Sequence, residues 1–318
     1  MKQVVAGGLV LAWLALAAAG CGSVSLSQVK QFGAASTSLS EQARRAFELA
    51  DAATVDRNLY DVAGDPAKGP TDRTFQGLFT GDAALPGGQE RAERLARRLD
   101  VLDQLARYAS ALQALAEAEV AGDIDDAARG LNGALTGLGK TYRTASGRDL
   151  PLGDAEIGAI TTAVNAIGKT VAEARRRAAL RTVIVRADPA VQAATQLIAG
   201  DLGRDSELAR FVAEAIGNSR GSVQQAYNLE RTRPTSTFDV RHGMLLRARQ
   251  LYQAEASAPA FFAAVSDGAA AVGRAHAALR RAVEGDDFSS AEAARLIGEL
   301  EDHVASVRKF SRSLEAGD

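Results

Sequence analysis

Apolar residues recur every three or four positions along most of this chain, which is the spacing of one face of an α-helix. Two such segments cover residues 89–121 and 124–145. The most regular run alternates steps of three and four without interruption, at Ile157, Ile160, Val164, Ile167, Val171, Ala174 and Ala178. No stretch alternates apolar and polar residues as a half-buried β-strand does. The pattern predicts an all-α protein, an elongated antiparallel up-and-down bundle of about five or six long helices.

Two capping boxes mark predicted helix starts. Ser38 is followed three residues later by Glu41, and Ser289 by Glu292. In this arrangement the side chain of each residue accepts a hydrogen bond from the backbone amide of the other. The first box predicts a helix over about 39–60, and the second predicts the last helix of the chain.

Prolines supply further predicted boundaries. Asp188-Pro189 has the form of an N-cap followed by proline at the first helical position, and that helix is expected to pause near Gly203. Pro259 is placed to start another helix, because proline is tolerated in the first turn but not farther inside. Every proline after the N-terminal segment is therefore predicted to lie at a joint.

Two long connections interrupt the helical pattern, near residues 61–88 and 230–243. Loops of this length are uncommon inside compact domains and are often functional. In the first one, Phe75, Leu78 and Phe79 are expected to fold back over the end of the bundle, with a binding lip as the alternative.

The N-terminal segment follows a different pattern. An apolar run from Val4 to Ala19 is shorter than the roughly 20 residues of a spanning helix, and small residues follow it instead of a cationic flank. This is the layout of a secretory signal. The run ends next to Cys21, which is the only cysteine in the chain.

Residues Ala18-Ala19-Gly20-Cys21 resemble the lipobox of bacterial lipoprotein precursors, and the resemblance covers the first 23 residues. It implies transfer of a diacylglyceryl group to the Cys21 sulfur, cleavage before Cys21 and acylation of the new amino terminus. An ordinary signal peptide that leaves Cys21 as a free thiol is the alternative. We therefore predict a signal peptide over 1–20, a lipidated N-terminus and tether over 21–37, and a helical bundle over 38–318.

Composition narrows the possible partners. With a single cysteine the body has no disulfide and depends on burial for stability, which a chain of 318 residues can achieve. The formal charge of −2 argues against a nucleic-acid partner, because proteins that bind nucleic acid normally have a clustered cationic face.

Two Gly-Lys-Thr tripeptides, at 139–141 and 168–170, do not form phosphate-binding loops. The required first glycine is replaced by Ala134 and Ala163, and both tripeptides fall within helical periodicity. The acidic segment 122–130 lacks the glycine and terminal glutamate of a calcium loop and is interpreted as a helix start.

The three histidines also fail to suggest a metal site, because they are far apart in the sequence. His242 has only Asp239 nearby. His276 lies on an apolar stripe, where a buried histidine satisfied by a polar neighbour is favoured, and His303 is expected to form an exposed pair with Glu299.

No catalytic residue, cofactor or metal ligand is predicted, and the chain is not expected to be an enzyme. The leading hypothesis is a membrane-anchored bacterial envelope lipoprotein with a non-enzymatic structural or protein-interaction role. Acyl chains on Cys21 would hold it in the cell membrane or outer membrane, facing the periplasm, with another envelope protein as partner. The alternative is a periplasmic ligand- or metal-binding helical bundle whose pocket is lined by polar residues such as His276 and Asn165.

Overall fold

The computed structural model describes residues 26–64, 88–167, 173–285 and 290–315. Within these ranges the chain forms eight α-helices and no β-strand, which confirms the all-α prediction. The helices are α1 (Ser27–Gly64), α2 (Gly88–Glu117), α3 (Ala121–Ser146), α4 (Asp154–Asn165), α5 (Glu173–Asp201), α6 (Glu207–Glu230), α7 (Phe238–Glu284) and α8 (Ala291–Glu315).

The bundle has a lower end that contains the start of α1. There Gln28 Nε2 donates to the Ser290 carbonyl at 3.0 Å, just before α8 begins. Lys30 Nζ lies 4.0 Å from Oε1 of Glu117, which is in the last turn of α2. Helix α1 is therefore antiparallel to α2 and parallel to α8, and all three have one end at the lower end of the bundle.

Helix α7 forms the long axis of the molecule. It packs along α5, α6 and α8, and its 47 residues span about 70 Å at 1.5 Å per residue. Its C-terminus lies at the lower end, where Arg181 of α5 donates to the Glu284 carbonyl at 3.0 Å. The start of α7, and the connection from α6, therefore lie at the opposite, upper end.

The core is a continuous set of apolar side chains from all eight helices. Aromatic rings join α1, α7 and α8 halfway up: the Phe47 and Phe261 ring centroids are 5.1 Å apart, and the Phe261 and Phe310 centroids 4.2 Å apart. Burying a large side chain of this kind contributes roughly 1.5–3 kcal/mol. The helical periodicity of the sequence thus corresponds to buried stripes that meet along the long axis.

Helix α1 starts earlier than the capping box predicted. It begins at Ser27, and Val29 and Phe32 are buried. Ser38 lies inside the helix, where its hydroxyl faces Arg308 of α8 at 3.5 Å. The prediction of a tether over 21–37 is therefore wrong from residue 27 onward, because this segment carries an apolar stripe that packs on α2 and α8.

Two of the predicted proline boundaries are also wrong, whereas Pro151 and Pro234 lie between helices as predicted. Pro189 lies inside α5, and Pro259 lies inside α7. A proline inside a helix removes one backbone hydrogen bond and clashes with the preceding turn. Here the surrounding turns are packed against neighbouring helices, whose contacts outweigh that local cost. Asp188 does not cap the helix, since its carboxylate is bound to α7 instead.

The most regular apolar run belongs to more than one helix. Helix α4 ends at Asn165, and the Ile167 amide donates to the Val164 carbonyl at 3.1 Å in a tight turn. Ile160, Val164 and Ile167 are buried as predicted, and α5 begins only at Glu173. Periodicity continues across the break because both segments face the same core.

The predicted connections are shorter than expected where the structure describes them. The second one runs only between Glu230 and Phe238, and Thr237 caps α7 by accepting from the Val240 amide at 3.3 Å. Residues 61–64 belong to α1. Residues 65–87, with Phe75, Leu78 and Phe79, lie outside the described residues, as does Ser289, although α8 begins at Ala291 as its capping pattern indicates.

Candidate functional site

A polar network lies buried between α2, α5 and α7. His276 Nδ1 lies 2.9 Å from Asp188 Oδ1, and His276 Nε2 lies 2.9 Å from the Tyr108 hydroxyl. The His276 side chain is fully buried, and Phe32 of α1 covers one side of its ring with centroids 5.7 Å apart. One polar group from each of three helices thus meets in the core.

Supporting contacts fix the Asp188 carboxylate in this position. Gln192, one turn later on α5, donates to Asp188 Oδ1 at 3.1 Å and to the Gly273 carbonyl at 2.7 Å. Arg280 Nε lies 3.4 Å from Asp188 Oδ2. A Cβ on Gly273 would lie 2.7 Å from the Thr195 hydroxyl, so glycine allows α5 and α7 to approach closely enough for these bonds.

The electrostatics favour an ionised Asp188. Burial opposes its charge, but hydrogen bonds from His276 and Gln192 and the charge of Arg280 keep the pKa of Asp188 below its ordinary value. Burial, with the nearby Asp188 charge, raises the pKa of Tyr108 far above its ordinary value. With the carboxylate ionised, His276 Nδ1–H donates to Asp188, and His276 Nε2 is hydrogen-bonded to the neutral Tyr108 hydroxyl.

This network is saturated. Both ring nitrogens of His276 have protein partners, so neither presents a lone pair to a ligand. The network resembles other buried polar clusters in that it fixes the relative positions of its helices. The expectation that His276 is a buried histidine with polar partners is confirmed, and Asp188 and Tyr108 are the partners that sequence reasoning did not identify.

The other residues proposed as pocket lining or as metal ligands do not join it. Asn165 is exposed at the end of α4. His242 is exposed and stacks on Phe238, with ring centroids 5.3 Å apart. His303 does not pair with Glu299, which binds Arg274 at 3.9 Å and Arg295 instead. Among the residues that the structure describes, no three metal-ligating side chains cluster.

The remaining motifs behave as local structure. Thr141 of the first Gly-Lys-Thr lies in α3, where its hydroxyl donates to the Gly137 carbonyl at 3.0 Å. The second copy begins at Gly168, and it and Cys21 lie outside the described residues. The acidic segment 122–130 begins α3, as predicted: Asp123 accepts from the Val120 amide at 3.2 Å.

A shallow groove of 530 Å³ lies between α2 and α3. Its lining includes small residues such as Gly130 and Gly133 and the charged residues Arg107 and Asp126. Arg107 is bound to Asp103 at 3.1 Å and Asp126 to Arg129, so these charges are already paired. Nothing in its chemistry selects a ligand.

The most exposed apolar surface lies at the upper end of the molecule. We call it the α6–α7 tip, residues 229–252. Six of the eight large apolar side chains that are exposed in the described part of the chain belong to it: Leu229, Phe238, Val240, Leu245, Leu246 and Tyr252. Phe238 is 69% exposed and Tyr252 64%. The sequence pattern predicted a loop for part of this segment and did not indicate the exposed surface.

The tip and the start of α1 lie at opposite ends of the bundle. Leu26 is buried at the lower end, next to the start of α8 and the end of α2, whereas Phe238 begins α7 at the upper end. Their separation along the axis is about 70 Å, the length of α7.

Comparison with known proteins adds no assignment: no family model, no curated protein and no solved structure matches this chain. Within the described ranges, none of the helices combines the length and the apolar character that a bilayer crossing requires.

Proposed function

We propose that this chain is a lipid-anchored bacterial envelope protein with a non-enzymatic structural or protein-interaction role. Acyl chains on Cys21 hold it in the cell membrane or outer membrane on the periplasmic side. The helical rod then carries an exposed tip at the end opposite its anchor, where it contacts another envelope component.

The burial of Leu26, only a few residues after Cys21 in the sequence, is the observation that carries this proposal. Leu26 is already buried against the bundle, and only four residues lie between it and Cys21, so five Cα–Cα steps join the two. At about 3.5 Å per residue these can reach no more than roughly 17 Å. An anchor at Cys21 would therefore hold the lower end of the rod close to the bilayer surface.

The buried polar network supports a structural role. His276, Asp188 and Tyr108 satisfy one another inside the core, and their hydrogen bonds join three helices along the rod. An acyl anchor also fits the energetics of attachment. Each buried methylene contributes about 0.8 kcal/mol, so two or three chains hold a protein durably.

The test compares the parent chain with a Cys21→Ser variant expressed in a bacterium. We expect the parent in the membrane fraction, with an N-terminal peptide that begins at Cys21 and carries the mass of its acyl groups. The variant is expected to carry no acyl mass and to leave the membrane fraction on a high-salt wash, because it has no sulfur to receive the diacylglyceryl group and charge-dependent surface binding is screened by salt. Intact-mass and peptide mass spectrometry provide the measurement.

Ser25→Ala is the matched control, since it changes a nearby residue and leaves the proposed lipobox intact. It should fractionate like the parent. A Cys21→Ser variant that stays in the membrane fraction, together with a native terminus of unmodified mass, would refute the proposal.

A further inference from the structure

The α6–α7 tip differs in charge from the rest of the molecule. It contains five arginines and two acidic residues, whereas the whole chain has a formal charge of −2. Arg231 and Arg249 are exposed, and Arg233 is paired with Glu230 at 3.0 Å. The upper end is therefore cationic on a molecule that is otherwise acidic.

One helical face of the tip is exposed and rich in apolar groups. Phe238, His242, Leu245, Arg249 and Tyr252 follow one another at steps of four and three residues and form a stripe along α7. Gln250, Leu251 and Ala254, on the other side of the helix, are buried. The stripe thus faces away from the bundle.

Apolar side chains also lie beyond this stripe. Leu229 is exposed at the end of α6, and Val240 is exposed on another side of α7. Phe238, Val240, Leu245 and Leu246 all fall within about 12 Å along the helix axis. The tip is a convex surface with apolar groups on several sides, which suits insertion into a deformable layer better than it suits a rigid groove.

We propose that the α6–α7 tip binds the surface of an anionic phospholipid bilayer. This deepens the proposed function, on which it rests, by naming the component that the tip contacts. Phe238, Leu245 and Leu246 enter the boundary between headgroups and acyl chains, where an amphipathic helix buries its apolar face by about 5–10 Å. Arg231 and Arg249 extend to the lipid phosphates, as long cationic side chains do at such interfaces.

Charge argues against a second copy of this chain as the occupant. Two tips that meet would bring two sets of five arginines together. An antiparallel pairing of two α7 helices centred on Leu245 would place Arg241 of each copy opposite Arg249 of the other. An anionic bilayer has the charge that complements the tip.

The test uses the mature chain from residue 21 with Cys21→Ser, so that no acyl chain contributes to membrane binding. Because the only tryptophan is Trp13, in the predicted signal peptide, Phe238→Trp adds a single fluorescent reporter at the tip. Vesicles of phosphatidylglycerol mixed with phosphatidylcholine are compared with pure phosphatidylcholine, by co-sedimentation and by tryptophan emission.

We expect the mature chain to co-sediment with the anionic vesicles and less with the neutral ones, with binding that weakens as salt is added. Tryptophan emission at position 238 should shift to the blue. Leu245→Ser should lower the partition coefficient roughly tenfold, because it removes one large apolar group from the interface. Arg249→Gln should lower it about fivefold on anionic vesicles alone.

Val120 gives the matched control. It is 59% exposed but lies between α2 and α3 at the lower end of the molecule. Val120→Ser should leave binding unchanged, and Val120→Trp should show no blue shift on vesicles.

Three results would overturn the inference. They are no binding at low salt, equal binding to both kinds of vesicle, and concentration-dependent self-association that Leu245→Ser abolishes, which would identify a second copy as the occupant. These results are separable from a failure of the proposed function. An acylated Cys21 with a tip that ignores vesicles refutes only the inference, and an unmodified Cys21 refutes only the anchor.

Discussion

Asp188 is a buried carboxylate whose charge is stabilised by the surrounding fold. Its carboxylate accepts hydrogen bonds from His276 and Gln192, and Arg280 approaches from the surface. A lone carboxylate in the core would be protonated, whereas this one is held ionised by its partners. The same contacts join α5 to α7 in one register.

We expect stability to fall on acidification in a way that depends on Asp188. Because its pKa is lowered in the folded state, the unfolded chain binds protons first as the pH drops. The contribution of Asp188 is therefore present above its ordinary pKa of 3.8 and is lost as the pH falls through the folded value. Asp188→Asn should lower the free energy of unfolding by about 1.5–3 kcal/mol near neutral pH.

Urea unfolding of the parent and of Asp188→Asn from about pH 6 to about pH 2 measures this contribution. The difference in free energy of unfolding between the parent and the variant should decrease as the pH is lowered. Asp149→Asn is the control, since Asp149 is exposed and paired only with Arg143 at the surface. A difference of constant size across the range would show that Asp188 is not held ionised in the folded state.

Single residues show how far sequence reasoning reaches. The apolar stripe around His276 was sufficient to predict a buried histidine with a polar partner. The partners were not predictable, because Asp188 and Tyr108 lie 88 and 168 residues away in the sequence. Asp188 was also misinterpreted, since an Asp-Pro pair has the same local form whether it caps a helix or lies within one.

At the scale of elements, close helix contacts depend on where glycine lies. At Gly33, where α1 crosses α2, a Cβ would lie 2.7 Å from Gln113 Cβ and 2.8 Å from the Ala109 carbonyl oxygen. At Gly139, inside α3, a Cβ would meet no atom within 4 Å. The two positions share residue type and helical conformation and differ in their neighbours.

Alanine at these two glycines should therefore have opposite effects. Gly33→Ala should destabilise the protein by about 1–3 kcal/mol, because a backbone oxygen cannot move away without displacing α2. Gly139→Ala should stabilise it by up to about 1 kcal/mol through helix propensity. Urea unfolding midpoints decide this, and a Gly33→Ala variant as stable as Gly139→Ala would mean that α1 and α2 do not approach this closely.

Element type was predictable, whereas several element boundaries were not. Periodicity identified the helices because each one buries a stripe, and this holds for every helix in the described residues. Pro189 and Pro259 were interpreted as helix starts from local chemistry. Packing on both sides of α5 and α7 overrides that preference, and a single sequence does not show which turns are packed.

At the scale of the whole molecule, the position of the tip depends on α7 remaining one helix. A hinge at Pro259 would let residues 238–258 fold away from the axis. The elongated shape and the separation between the tip and the start of α1 follow from an unbroken α7. The elongated shape was predicted from the long helical segments, but the position of the tip was not, because the Pro259 pattern indicated a helix start there.

Distances between spin labels test this architecture. With Cys21→Ser as background, labels at Val120→Cys and Gly243→Cys should be separated by roughly 60–70 Å along the axis. A second pair, Val120→Cys with Asp267→Cys, spans only the lower half and should give roughly 30–35 Å. All three sites are exposed, so the substitutions should not disturb the core.

Pulsed electron paramagnetic resonance measures both pairs. Because Pro259 lies between Gly243 and Asp267, a hinge there would shorten or broaden the first distance and leave the second unchanged. Narrow distributions for both pairs are expected if packing against α6 holds the upper half of α7 in line with the lower half. The tip then lies at one end of the rod, and α1 begins at the other end.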